Sequence, residues 1–377
     1  MRKTWIAVGL VAVFLAFAAG AGWLPLGGGP RCAVDEEIEG DIAKAAFGVA
    51  GRFFDAVAQR DAAAAYTMLA PGLKDAMTAE KFGEVVTGIV DGASGGFREV
   101  KAVHAYHVER DGTPGRVICG NSETGVQVNA LPGITQVHTL YSAVTDSHMW
   151  ALTAWMTKRA QVWEVESFYI TISGVAGRGP EELRNAAQAQ AGKGHGFNAF
   201  MLMSAASATA YRGPDFQPIM KPTIDAALAA VKVPPELSTA PPRKWKLKGK
   251  SYAVEQVTIV GAARELGLVI MYRDEAWDAA NNEDGEVRNR ALIDAFVASR
   301  PEVKEAFNFV VARILKPGQN VGWGTVYDAK RGYTTATAAE AAAAAVEATD
   351  DLGPASEAAA APLETEAAPA PEPPASQ

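Results

Sequence analysis

The chain lacks the residue patterns that mark most enzyme chemistries. Its 377 residues contain no glycine-rich phosphate loop and no His-Glu-x-x-His pair. Cysteine is nearly absent: Cys32 and Cys119 stand alone, too few for a disulfide-dependent scaffold. One bridge between them and two separate thiols are both compatible with the sequence. The 5 histidines are scattered. His104 and His107 are three apart on an expected strand, which points them to opposite faces. His138 and His148 lie within reach across an expected hairpin, but no thiol or carboxylate cluster completes a metal site. No metal and no cofactor is therefore assigned. A basic excess is missing too. Lys and Arg number 35 against 43 Asp and Glu, and eight of those acids lie beyond Thr334, where no basic residue occurs. The remainder balances 35 against 43 − 8 = 35. A near-neutral body gives nucleic acid no electrostatic hold.

What the chain does have begins at its start. Arg2 and Lys3 precede an apolar run from Trp5 to Ala21, and no further charge appears until Arg31. That is the pattern of an export signal, with Ala19-Gly20-Ala21 supplying small residues at a cleavage site. Read on to Leu26, the run is also long enough for an uncleaved anchor, since roughly 20 apolar residues span a bilayer. Residues 1–26 are thus a signal peptide or a membrane anchor. Both readings place the rest outside the cytoplasm, in the periplasm or on the outer face of the membrane, with membrane contact only through this segment. Gly29-Pro30-Arg31 before Cys32 lacks the small residue of a lipid-attachment site.

Helical periodicity comes next. Ile42, Ala46, Val49, Phe53 and Val57 share one face of a helix over 42–60. A second helix is expected at 62–69. A third, at 78–90, has Thr78 as its N-cap. The period then changes to two. Val100, Ala102, His104, Tyr106 and Val108 alternate with Glu99, Lys101, His107 and Glu109, predicting a strand whose first set turns inward toward helix 42–60. Further strands are expected at 115–119, 127–130, 135–144, 149–158 and 161–172. The short turns between them predict an antiparallel meander. Trp150 and Trp163 are expected in the core.

Residues 180–233 read as a helical bridge, and Pro234-Pro235 and Pro241-Pro242 bracket a linker. Residues 243–330 form a smaller α+β unit: strands at 251–260 and 267–273, helices at 287–298 and 301–315 with a capping box at Ser299 and Glu302, and an edge strand at 321–327. Residues 334–377 are rich in Ala, Glu and Pro and contain no aromatic residue, a composition that predicts a disordered tail, dispensable for folding beyond about Leu352.

Two local runs carry a family resemblance: Phe53-Phe54-Asp55-Ala56-Val57-Ala58-Gln59-Arg60-Asp61, followed by Ala65-Tyr66-Thr67-Met68-Leu69-Ala70-Pro71, and later Gln161-Val162-Trp163-Glu164-Val165. With the element order, they make residues 42–172 resemble the NTF2-like superfamily, the cystatin-like α+β cone. The resemblance implies N-terminal helices packed on a curved antiparallel sheet around a conical pocket. It implies no reaction, because the superfamily includes isomerases, dehydratases, carriers and non-catalytic envelope modules. Within such a pocket His104, Tyr106 and Asp55 are the candidates for acid–base work. His104 has a bland alternative as a core histidine bonded to a carbonyl, and Asp55 as a solvated helix carboxylate. With no convincing acid–base constellation, the sequence points to an exported, non-catalytic envelope protein that binds a protein partner or a small apolar ligand. The alternative is a pocket enzyme of the isomerase or dehydratase type.

Overall fold

The helix over Gly40–Ala58 (α1) buries Ala46, Ala50, Phe53, Phe54 and Val57, the stripe its sequence spacing demands. Asp61 caps α2 (Ala62–Thr67) by accepting from Ala64 N. Pro71 opens α3 (Pro71–Ala76), where a missing N–H costs nothing. Thr78 caps α4 (Ala79–Gly92), accepting from Lys81 N at 3.2 Å. These elements come from a computed structural model, which describes residues 30–93, 96–121, 125–262, 264–317 and 322–333. The expected signal segment and the expected tail lie outside the described residues.

The helices cover one face of a five-stranded sheet of β1 (Arg31–Val34), β2 (Arg98–Glu109), β5 (Thr135–Val144), β6 (His148–Arg159) and β7 (Val162–Val175), in the order β1-β2-β5-β6-β7. All its pairs are antiparallel. The β6–β7 hairpin turns at Ala160 and Gln161, both at positive φ as a two-residue turn of this hand requires. β3 (Gly115–Cys119) and β4 (Val126–Ala130), expected in the meander, instead form a separate small sheet with β8 (Phe216–Pro218). That sheet lies on the face opposite the helices.

β2 corrects the predicted facing. Its pairing with β5 slips between Arg98 and Lys101 and again between Ala102 and His104. Each bulge inserts a residue and reverses the alternation. Val100 still packs toward the helices, Ala102 is exposed, and Ala105 enters the core shared with α1. Tyr106 and Val108 are buried as expected, but against Val117, Val128 and Phe216 of the small sheet, not against α1. His107 is half-buried rather than solvated and borders a shallow recess with Ile42.

The second half of the chain builds a six-stranded sheet. β9 (Arg243–Leu247), β10 (Lys250–Ala262), β11 (Glu265–Arg273), β12 (Phe309–Leu315), β13 (Gly322–Asp328) and β14 (Gly332–Tyr333) run in the spatial order β14-β13-β12-β11-β10-β9. The expected helix over 301–315 is not formed. Only α9 (Val303–Ala306) is helical, and Phe309–Leu315 is a strand parallel to β11. A strand buried on both faces reads as a continuous apolar run, which spacing alone does not separate from a helix. Ser299 forms no capping box; it ends α8 (Asn282–Ser299) with its hydroxyl donating to the Phe296 carbonyl. β13 is flanked by the two residues of β14, so it is not the outermost strand.

Three helices join the halves: α5 (Pro180–Gly192), α6 (Gly196–Thr209) and α7 (Lys221–Ala230). Leu183, Phe197, Met201, Leu202 and Ile224 share one core with Trp245, Leu268, Ile270 and Phe296 of the second sheet and α8. Val175 and Ala176 at the end of β7 enter the same core. The whole is a mixed α+β structure with predominantly antiparallel sheets.

Candidate ligand-binding cavity

The space between α1 and the first sheet is filled. Phe53, Phe54 and Phe82 are fully buried there, interlocked edge-on with Phe168 and Tyr141. Trp150 and Trp163 join the same core. Tyr141 runs its hydroxyl onto α1 and donates to the Phe47 carbonyl at 2.9 Å; burial, with the charge of Asp55 adding to it, pushes its phenol up to about 12.

Of the three residues proposed for acid–base work, His104 and Tyr106 are neighbours, their ring centroids 6.1 Å apart, whereas Asp55 is apart from both. Asp55 is exposed on α1, and no described hydrogen bond or ion pair links it to either partner. His104 Nδ1 lies 2.7 Å from Asp35 Oδ2, and Asp35 Oδ1 accepts from Ala105 N at 2.8 Å. Asp35 thereby ties the N-terminal strand to β2, which is a structural use of the pair. Tyr106 packs edge-on against Phe216, and burial raises its phenol far above the ordinary range.

A second polar cluster escaped sequence reasoning. His138 Nε2 lies 2.7 Å from the Asn129 carbonyl, and its ring stacks on Trp155. Asn129 Nδ2 donates to Asp215 Oδ1 and Ser167 Oγ to Asp215 Oδ2. Gln136 bridges to Leu131 and accepts from Trp155 Nε1. Contacts spread over residues 129–215 leave no local signature. The groups satisfy one another and hold the small sheet on the large one, so the cluster serves the fold. His138 pairs across the hairpin with Trp155, while His148 pairs with Val175, so those two histidines do not approach. No group of three or more potential metal ligands occurs among the described residues. Gly92-Ala93-Ser94-Gly95-Gly96 has the Gly-x-Ser-x-Gly spacing, but it starts at the last residue of the helix α4 and the next element after it is the strand β2. A nucleophile elbow needs a strand before it and a helix after it.

Open space lies elsewhere, between the edge of β7, one side of α6 and β10. There a cavity of about 480 Å³ is lined mainly by Ile170, Ile172, Met201, Val257 and Ile259, with His148 at its wall. The local sequence explains the gap: α6 presents Ser204, Ala205 and Ala208 toward it, too short to close on the sheets. His148 is 4% exposed. Its Nδ1 sits 2.7 Å from Ser147 Oγ, and among the described residues nothing bonds its Nε2. Burial lowers its basicity to about 4, so the ring is neutral near pH 7.

No family model, curated protein or solved structure matches this chain.

A disulfide joins Cys32 on β1 to Cys119 on β3. Among the described residues no helix is long and apolar enough to cross a membrane.

Proposed function

We propose that this is an exported, non-catalytic envelope protein with an NTF2-like N-terminal unit, and that it binds a small, largely apolar molecule. The observation that carries this reading is the contrast between a plugged interior under α1 and an apolar cavity beside α6. An isomerase or dehydratase needs an acid and a base meeting over a chamber; His104 and Tyr106 are neighbours, but neither they nor Asp55 line the cavity beside α6. Export draws support from the charged, then apolar, start of the chain and from the Cys32–Cys119 bridge, which suits an oxidising compartment.

Two measurements test it. Residues 1–40 fused to a reporter active only outside the cytoplasm should give signal; a silent reporter removes the localisation. Native mass spectrometry of the protein purified from envelope fractions should show a small-molecule mass increment lost on organic extraction. A bare mass at every loading concentration removes the binding role.

A further inference from the structure

The cavity beside α6 is selective as well as apolar. Among the described residues its lining contains no Asp, Glu, Lys or Arg, and His148 and Tyr211 are the titratable side chains there. A carboxylate or ammonium entering it would leave water without gaining a countercharge, which is strongly unfavourable. Yet the wall is not wholly inert. His148, nearly fully buried, offers a ring nitrogen with no described partner, and Ser204 and Thr258 bring hydroxyl groups to the same lining. Thr209 and Thr171 are committed to backbone carbonyls, Thr209 to Ala205 and Thr171 to Tyr211. The volume of about 480 Å³ falls in the range that takes ligands of drug or short-lipid size, about 300–1,000 Å³.

We propose that this cavity binds an uncharged amphiphile, its hydroxyl, ester or amide head meeting His148 and its hydrocarbon part lying along Ile170, Ile172, Met201 and Ile259. The assignment rests on the reading of the protein as a small-molecule binder and adds to it the site and the charge class. A neutral imidazole serves either head polarity. With Nδ1 accepting from Ser147 Oγ, Nε2–H donates to an ester or amide carbonyl. With the other tautomer, Nε2 accepts from an alcohol. A carboxylate also accepts from Nε2–H, but with no Lys or Arg among the described lining residues that one bond does not offset the loss of its hydration.

The test uses the full chain and a neutral environment-sensitive dye, N-phenylnaphthylamine, followed by fluorescence. The dye should bind saturably. Dodecanol should displace it at a concentration at least about tenfold below that of dodecanoate. Ala205→Phe, which fills the cavity from α6, should weaken dye binding by about tenfold or more. Ala208→Trp, at an exposed rim position, is the second filling variant should Ala205→Phe fail to fold. His148→Phe should weaken displacement by dodecanol more than it weakens the dye itself. Saturable binding unaffected by a folded filling variant, or displacement favouring dodecanoate, overturns the site or the charge class while leaving the binding role standing. Dye binding that appears only after deletion of residues 334–377 assigns the cavity to that segment and overturns the proposal. No binding of dye, dodecanol or dodecanoate overturns both this proposal and the binding role.

Discussion

Breaking the Cys32–Cys119 bridge should cost the protein a large part of its stability. The two cysteines are 87 residues apart in sequence. A loop of that length restricts the unfolded chain by about 4–5 kcal/mol in the chain-entropy treatment, and native bridges typically deliver about 2–4. Total stability of a domain is about 5–15 kcal/mol, so the loss is visible in any unfolding curve. The location adds a structural reason. β1 holds the sheet through a four-residue pairing with β2, and the bridge is its covalent tie to β3. Cys119 is 1% exposed among Val117, Val128 and Tyr106. Alanine is therefore the better replacement, since serine would bury a hydroxyl there. The Cys32→Ala/Cys119→Ala variant should unfold in urea with a midpoint lowered by the equivalent of about 2–4 kcal/mol. Reductant should bring the wild-type protein to the same midpoint and leave the variant unchanged. Hydrogen exchange should quicken first at Arg31–Val34. A variant within about 0.5 kcal/mol of wild type would refute the argument, as would two titratable thiols in the native protein under oxidising conditions.

Other outcomes follow from the same contacts. His138 and His148 are held near about 4 by burial, against roughly 6.5 when unfolded, so the unfolded chain takes up protons first as pH falls. Their contribution is complete above about pH 6.5 and is lost as pH falls toward 4, by about 2 kcal/mol each at pH 5. Urea midpoints at pH 7 and 5 should show that drop in wild type and a shallower one in His138→Gln/His148→Gln; identical slopes would exclude it. Gly261→Ala should destabilise by about 1–3 kcal/mol, because a Cβ there would lie 2.4 Å from the Ser147 carbonyl and 2.7 Å from Ala176 N, both backbone atoms. A neutral thermal shift would show that β10 does not press against those turns. Tyr106→Ala should cost about 3–5 kcal/mol through the cavity it leaves under the small sheet, whereas Asp55→Ala should stay within about 0.5. Comparable effects at the two positions in chemical denaturation would contradict the packing described.

Local chemistry made much of the fold legible. Thr78 announces a helix because its hydroxyl serves an N–H three residues on, and the structure forms that bond. The strands at Gly115–Cys119 and Thr135–Val144 are bounded by the turn residues beside them. The failures have equally local causes. Val103 and Ala105 already spoil the alternation around His104, and there the bulge turns Tyr106 to the other face. Phe309–Leu315 carries the β-branched Val310, Val311 and Ile314, a strand preference outweighed in the reading by apolar length.

Of the site, less was legible. Sequence alone determined the near-neutral body, the charged and apolar start, and the change from helical to strand periodicity near residue 98. These depend on composition and on neighbours within one helical turn or one strand. The tertiary structure alone decided that Asp35 claims His104, that Cys32 meets Cys119, that β8 returns to β4, and that open space lies beside α6 instead of under α1. Each joins residues tens of positions apart, where the gain comes from burying side chains of different elements against one another. No periodicity within a single element encodes that choice of partner.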